Sequence, residues 1–202
     1  MPLRLGVFGG SFNPIHFGHL LTAGDMRYQL RLDRILFVPA YHPPHKHGPL
    51  TAYRHRLSMT QLAIDSEPGF KLCAIEESRP GPSYTVDTLR ELRSLHPGAT
   101  LHLIVGSDQY RDVASWHQPG RLTNLARIVV MSRPGEERPP LFPGHDPKRV
   151  RFCPVIPVGI SAAAIRARLA KNLSIRYMLP VVVAEYLRRH RLYPGPRTRR
   201  TA

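Results

Sequence analysis

Cysteine is scarce in this chain: only Cys73 and Cys153 occur, both in apolar, strand-like stretches. Two thiols in such a setting predict small buried hydrophobes rather than a disulfide framework. Long hydrophobic runs are missing as well. No stretch approaches the ~20 apolar residues of a membrane span. Met1-Pro2-Leu3-Arg4 enters an apolar run directly, without a signal-peptide hydrophobic region, which predicts a cytoplasmic protein. Acidic residues number 14 against 29 basic ones, leaving a formal charge of +15. Tryptophan occurs once, at Trp116. Neither G-x-G-x-x-G nor G-x-x-x-x-G-K-[ST] occurs, which excludes the standard dinucleotide fingerprint and the P-loop. No Ser/His/Asp or Cys/His arrangement stands out, and no internal repeat is visible.

What remains is a globular composition, 42% hydrophobic over 202 residues, suited to one domain. Strand-like runs recur at 3–8, 34–39, 71–76, 101–105, 127–132 and 150–155. Helix-like segments lie between most of them, at 18–30, 52–65 and 85–95. In the second, Leu57, Met59, Leu62 and Ala63 fall near helical spacing; in the third, Leu89, Leu92 and Leu95 do. Alternation of this kind predicts an α/β fold, a doubly wound parallel sheet covered on both faces, with ligands bound beyond the carboxyl ends of the strands. From Ser161 onward the pattern predicts a small C-terminal helical portion. A single domain is expected over 1–193, followed by a basic flexible tail, 194–202, whose PGPRTRRTA has no apolar anchor. Two loops stand out: YHPPHKHGPL at 41–50, and a proline-, glycine- and charge-rich excursion at 134–148.

The stretch GGSFNPIHFGH, 9–19, follows the first strand and leads into a helix near Phe17–Gly18. Gly9 and Gly10 would let a ligand approach the backbone. The helix would turn its free N–H groups into the same space. His16 and His19 are about one turn apart and can share that end. Taken alone, the pair fits core or capping histidines as well as an anion site. A metal site lacks a third local ligand.

The stretch resembles the G-x-F-x-P-x-H-x-G-H signature of the nucleotidyltransferases related to class I aminoacyl-tRNA synthetases. SYTVDTL at 83–89, GSD at 106–108 with Trp116 beyond it, ISAAAIR at 160–166, IRYMLPVVVAEYL at 175–187 and a closing LY at 192–193 follow in order. Together they resemble the bacterial nicotinate-nucleotide adenylyltransferases over nearly the whole chain. That resemblance implies a Rossmann-like fold. It also implies transfer of AMP from ATP to nicotinate mononucleotide, with magnesium carried by the ATP phosphates and no metal site of the chain's own.

The resemblance further implies residue roles. His16 and His19 would hold ATP phosphates, with Gly9, Gly10, Ser11 and Phe12 supplying backbone contacts. Ser161 would cap a helix aimed at the phosphates, and Arg166 would reach the same anion. Read without the resemblance, Arg166 is a solvated helical arginine. Ala162 and Ala163 stand where the family commonly has Ser and Thr, so only Ser161 and Arg166 carry over. Lys46 would approach the phosphates from the far side; the rival for its loop is a metal cluster of His42, His45 and His47. Trp116 would stack on the pyridine ring, Thr85 would place backbone N–H groups at the nicotinate carboxylate, and Asp108 would bind ribose hydroxyls or order metal-bound phosphates. Alternatives are an adenylyltransferase with another acceptor, nicotinamide mononucleotide or phosphopantetheine, and a non-enzymatic nucleic-acid binder suggested by the charge. The last lacks a recognisable binding module.

Overall fold

In the computed structural model, described over residues 2–44, 48, 50–133 and 135–194, six parallel strands form one sheet. The strands are β1 (Arg4–Gly10), β2 (Arg34–Pro39), β3 (Phe70–Leu72), β4 (Thr100–Gly106), β5 (Arg127–Ser132) and β6 (Val150–Pro154). Their spatial order is β3-β2-β1-β4-β5-β6. The chain therefore leaves β1 toward one edge and later returns to its other side, so the order reverses between β1 and β4. In a parallel sheet that reversal opens a crevice at the carboxyl ends of the two strands.

Helices cover both faces, as the doubly apolar strands require. One layer of core joins Phe8, Phe12, Ile15, Met26, Phe37, Met59, Ile165 and Val183. It packs under α1 (Phe17–Gln29), α2 (Tyr53–Ile64), α6 (Ala162–Ala170) and α7 (Val181–Arg189). The other joins Leu5, Val7, Val86, Leu89, Leu103, Tyr110 and Val130, under α3 (Thr85–Leu95), α4 (Ser107–Arg111) and α5 (Leu122–Leu125). None of the described helices is long and apolar enough to cross a membrane.

Several expectations need correction. The third strand ends at Leu72, and the chain turns into a 3-10 helix, Ile75–Ser78. Cys73 consequently lies just past the sheet and is only half-buried; Cys153 in β6 is fully buried, and both are free. The C-terminal portion is not continuously helical: residues between α6 and α7 form turns. This break is useful, because the Met178 carbonyl accepts the Phe17 N–H (3.1 Å) at the start of α1. Leu62 and Leu95 are exposed. The buried face of α2 instead includes Arg56 and Thr60, and that of α3 includes Val86 and Thr88.

Candidate active site

A cavity of about 810 Å³ occupies the crevice between the ends of β1 and β4. It is of the size that takes a small-molecule ligand. At its floor, a Cβ added to Gly9 would meet no atom of the described residues, other than its chain neighbours, within 4 Å. Nothing in the chain demands glycine there, and the bare strand end is open to a ligand. Gly18 is different: a Cβ would stand 3.0 Å from the His16 ring and 3.3 Å from the Ile160 carbonyl oxygen. Glycine here lets α1, the His16 ring and the segment leading into α6 come together.

His16 sits at the N-cap of α1 and His19 one turn in. Their rings stack with centroids 3.7 Å apart. The His16 backbone N–H donates to His19 Nδ1 (3.3 Å). In the neutral ring the His19 proton then rests on Nε2. Phe12 meets this ring edge-on at 5.1 Å. Phe12 thus contributes more than backbone: its ring is buried in the core while its φ of 43° bends the turn. His16 Nδ1 is buried without a protein partner among the described residues. Desolvation lowers the His16 pKa to about 4, and burial plus the neighbouring His16 lowers that of His19 well below 6.5. Both rings are therefore neutral N–H donors at pH 7.

Outside the cavity, His102 in β4 is lowered to about 4 by burial and by Arg4 and Arg127. Depressed histidines add stability that is complete above their unfolded value near 6.5. It is lost as pH falls, because the unfolded chain binds protons that the fold refuses. Each contributes a slope of up to about 1.4 kcal/mol per pH unit. Urea midpoints are expected to fall steadily from pH 6.5 toward pH 4; a flat profile would refute neutral burial.

Ser161 caps α6, its Oγ accepting the Ala164 N–H (3.1 Å), and this capped end lines the cavity. Arg166, one turn further on, is not a solvated arginine. It is half-buried, and its Nη1 donates to the Asn13 carbonyl oxygen at 2.7 Å. It borders the same cavity as His16, His19, Gly10 and Ser11.

At the other end the cavity is lined by Thr85, Asp108 and Trp116. Thr85 opens α3, where no earlier turn supplies acceptors for its first N–H groups. Trp116 is half-buried, and its backbone N–H donates to the Val113 carbonyl oxygen. Asp108 is exposed at the start of α4, and its Oδ1 accepts the Gln109 N–H (2.8 Å). Lys46, His45 and His47 lie outside the described residues. Among those described, no three His, Cys, Asp or Glu side chains cluster as a metal site.

Sequence reasoning missed the groups that frame this site. Arg56 is fully buried and donates to three carbonyl oxygens: Thr51 (2.9 Å), Ser11 (2.9 Å) and Tyr41 (3.5 Å). One guanidinium thus ties the turn after β1 to both roots of the 41–51 loop. Its phase with Met59, Thr60 and Ala63 on α2 was the available signal. Buried Glu76 accepts the Tyr41 N–H (3.2 Å) and the Thr88 hydroxyl (2.7 Å), joining the same loop to α3. Tyr84 and His117 stack at 4.3 Å on the cavity wall. Nothing in their spacing signals that pair.

The topology and the glycine–histidine turn at its reversal point define a nucleotide-binding α/β protein of Rossmann-like type. Residues 7–168 match the cytidylyltransferase-like family. A relative from Thermus thermophilus, named "Probable nicotinate-nucleotide adenylyltransferase", is 47% identical over 195 residues, covering 95% of this chain and all of the relative. One of the same name from Thermomicrobium roseum is 45% identical, covering 94% of this chain and 91% of the relative. The fold also matches that of Plasmodium falciparum nicotinic acid mononucleotide adenylyltransferase complexed with NaAD. There the TM-score is 0.78 at 21% identity, covering 95% of this chain and 97% of the other. The chain belongs to the cytidylyltransferase-like family and, within it, to the nicotinate-nucleotide adenylyltransferases.

Proposed function

We infer that the protein transfers AMP from ATP to nicotinate mononucleotide, giving deamido-NAD and pyrophosphate. A phosphate oxygen of the mononucleotide attacks the α-phosphorus of ATP. The new P–O bond forms as the bond to the β-phosphate bridge breaks, and the electron pair leaves with pyrophosphate. The nucleophile belongs to the substrate, so the chain supplies alignment and charge stabilisation. The observation that carries this reading is the convergence, in one cavity, of the His16–His19 stack, the Ser161-capped end of α6 and Arg166, with Trp116 and Thr85 opposite.

In this reading Gly9, Gly10, Ser11 and the Phe12 backbone cradle the ATP phosphates, and His19 Nε2–H donates near the developing pentavalent phosphorus. His16 and Arg166 hold the polyphosphate, and Lys46 is proposed as a further cation for it. Trp116 stacks on the pyridine, the start of α3 at Thr85 receives its carboxylate, and Asp108 faces the ribose or the metal-bound phosphates. Magnesium enters with ATP as part of the substrate, carried by the phosphates it neutralises.

Arg166→Ala is expected to weaken ATP binding and slow turnover together, by roughly tenfold in each, since a cation that pairs with phosphate acts before and during transfer. Unchanged kinetics in the variant would remove Arg166 from the site. The reading as a whole is tested by pyrophosphate release from ATP, magnesium and nicotinate mononucleotide. Release supports the enzyme. No release, with tight and steeply salt-dependent binding to random DNA, supports the nucleic-acid binder instead.

A further inference from the structure

The end of the described chain reaches back under the phosphate-facing turn. Beyond α7, the Arg191 and Leu192 N–H groups bond to the Arg188 and Leu187 carbonyl oxygens, and the chain reverses. Leu192 and Tyr193 then pack on the core layer that holds Phe12 and Ile15. The Tyr193 hydroxyl donates to Asn13 Oδ1. Asn13 is 4% exposed and is shared by three elements. Its Oδ1 also accepts the Thr51 N–H (3.4 Å) at the loop root, and its carbonyl oxygen accepts Arg166 Nη1 (2.7 Å). Asn13 thereby joins Tyr193, Thr51 and Arg166 in one partly buried polar knot.

We propose that Tyr193 is a positioning residue for adenylyl transfer, acting through Asn13 to hold Arg166 and the Thr51 root of the loop. This rests on the reading of Arg166 as a phosphate-binding group. Arg166 lies on a short helix with one guanidinium nitrogen committed to the Asn13 carbonyl. The direction of its remaining donors therefore depends on where Asn13 is held. The Asn13 side chain bridges two elements far from it in sequence, and the Tyr193 hydroxyl is the partner brought from the chain end. Without that hydroxyl the amide can rotate away from Thr51, and the carbonyl that aims Arg166 loosens. A donor displaced by even about 1 Å loses much of its value in the transition state.

Tyr193→Phe keeps the packed ring and deletes only the hydroxyl. It is expected to lower kcat about tenfold at 25 °C while the protein remains fully folded at that temperature. In an Arg166→Ala background the same change is expected to cost less than twofold, because the group it positions is gone. A chain ending at Tyr193 should retain wild-type kcat, and one ending at Leu192 should reproduce the Tyr193→Phe loss. The proposal is overturned if Tyr193→Phe turns over within twofold of wild type, or if its loss is equally large in both backgrounds. Arg166→Ala alone reports separately on the underlying reading: wild-type kinetics in that variant would defeat it, whereas an impaired Arg166→Ala with additive losses would defeat only the role of Tyr193.

Discussion

His19→Ala is expected to abolish most turnover, by roughly 10²–10³-fold, in a protein that still folds. The size of the effect follows from how completely the ring is held before any substrate arrives. Its Nδ1 is occupied by the His16 N–H, its face by the His16 ring, and its edge contacts by Phe12 and Phe8. The proton is thereby assigned to Nε2, and the imidazole need not reorganise as charge moves onto the leaving pyrophosphate. Neutrality matters too. A ring held below its usual pKa by burial is a donor at every pH near 7, so turnover should not titrate with a histidine near 6.5. Steady-state kinetics with circular dichroism to verify folding provides the check. Near-normal kcat in a folded variant would take His19 out of the reaction.

Nicotinate mononucleotide is expected to react with higher kcat/KM than nicotinamide mononucleotide, by on the order of 10²-fold or more. The two bases have nearly the same shape, so the proposed stacking on Trp116 would not separate them. The difference is a carboxylate against an amide. In the proposed reading, N–H groups at the start of α3, beginning with Thr85, would satisfy both oxygens of a carboxylate. The amide NH₂ faces them donor to donor and leaves buried groups unpaired, at about 1–3 kcal/mol each. The net charge of +15 favours the more negative substrate as well. Equal efficiencies under identical ATP and magnesium would overturn the acceptor while leaving adenylyl transfer intact.

Much of the scaffold was legible because its signals are local. β2 and β5 are continuous apolar runs, and the limits the sequence predicts for them, 34–39 and 127–132, are the observed ones. β3 was placed late and too long because Phe70 precedes the run and the apolar stretch continues past Leu72 into a 3-10 helix. Arg56 escaped notice because a guanidinium is normally taken to face water. Its burial makes sense only once the Ser11, Tyr41 and Thr51 carbonyls surround it. Glu76 and Asn13 are illegible for a further reason: their partners Tyr41 and Thr51 lie 35 and 38 residues away.

The amino-acid order alone determined the glycine–histidine turn after β1, the three-residue spacing that puts His16 and His19 on one helical turn, and the serine that caps α6. These depend on contacts within a few residues, where backbone geometry leaves few choices. Tertiary structure decided the rest. Arg166 reaches a carbonyl 153 residues earlier, and Tyr193 an amide 180 residues earlier. The pKa values of the two histidines are lowered by burial that exists only in the assembled fold. Separation in sequence says nothing about which groups will share a buried volume. Desolvation and long-range hydrogen bonds, which tune this site, exist only after the chain has closed around it.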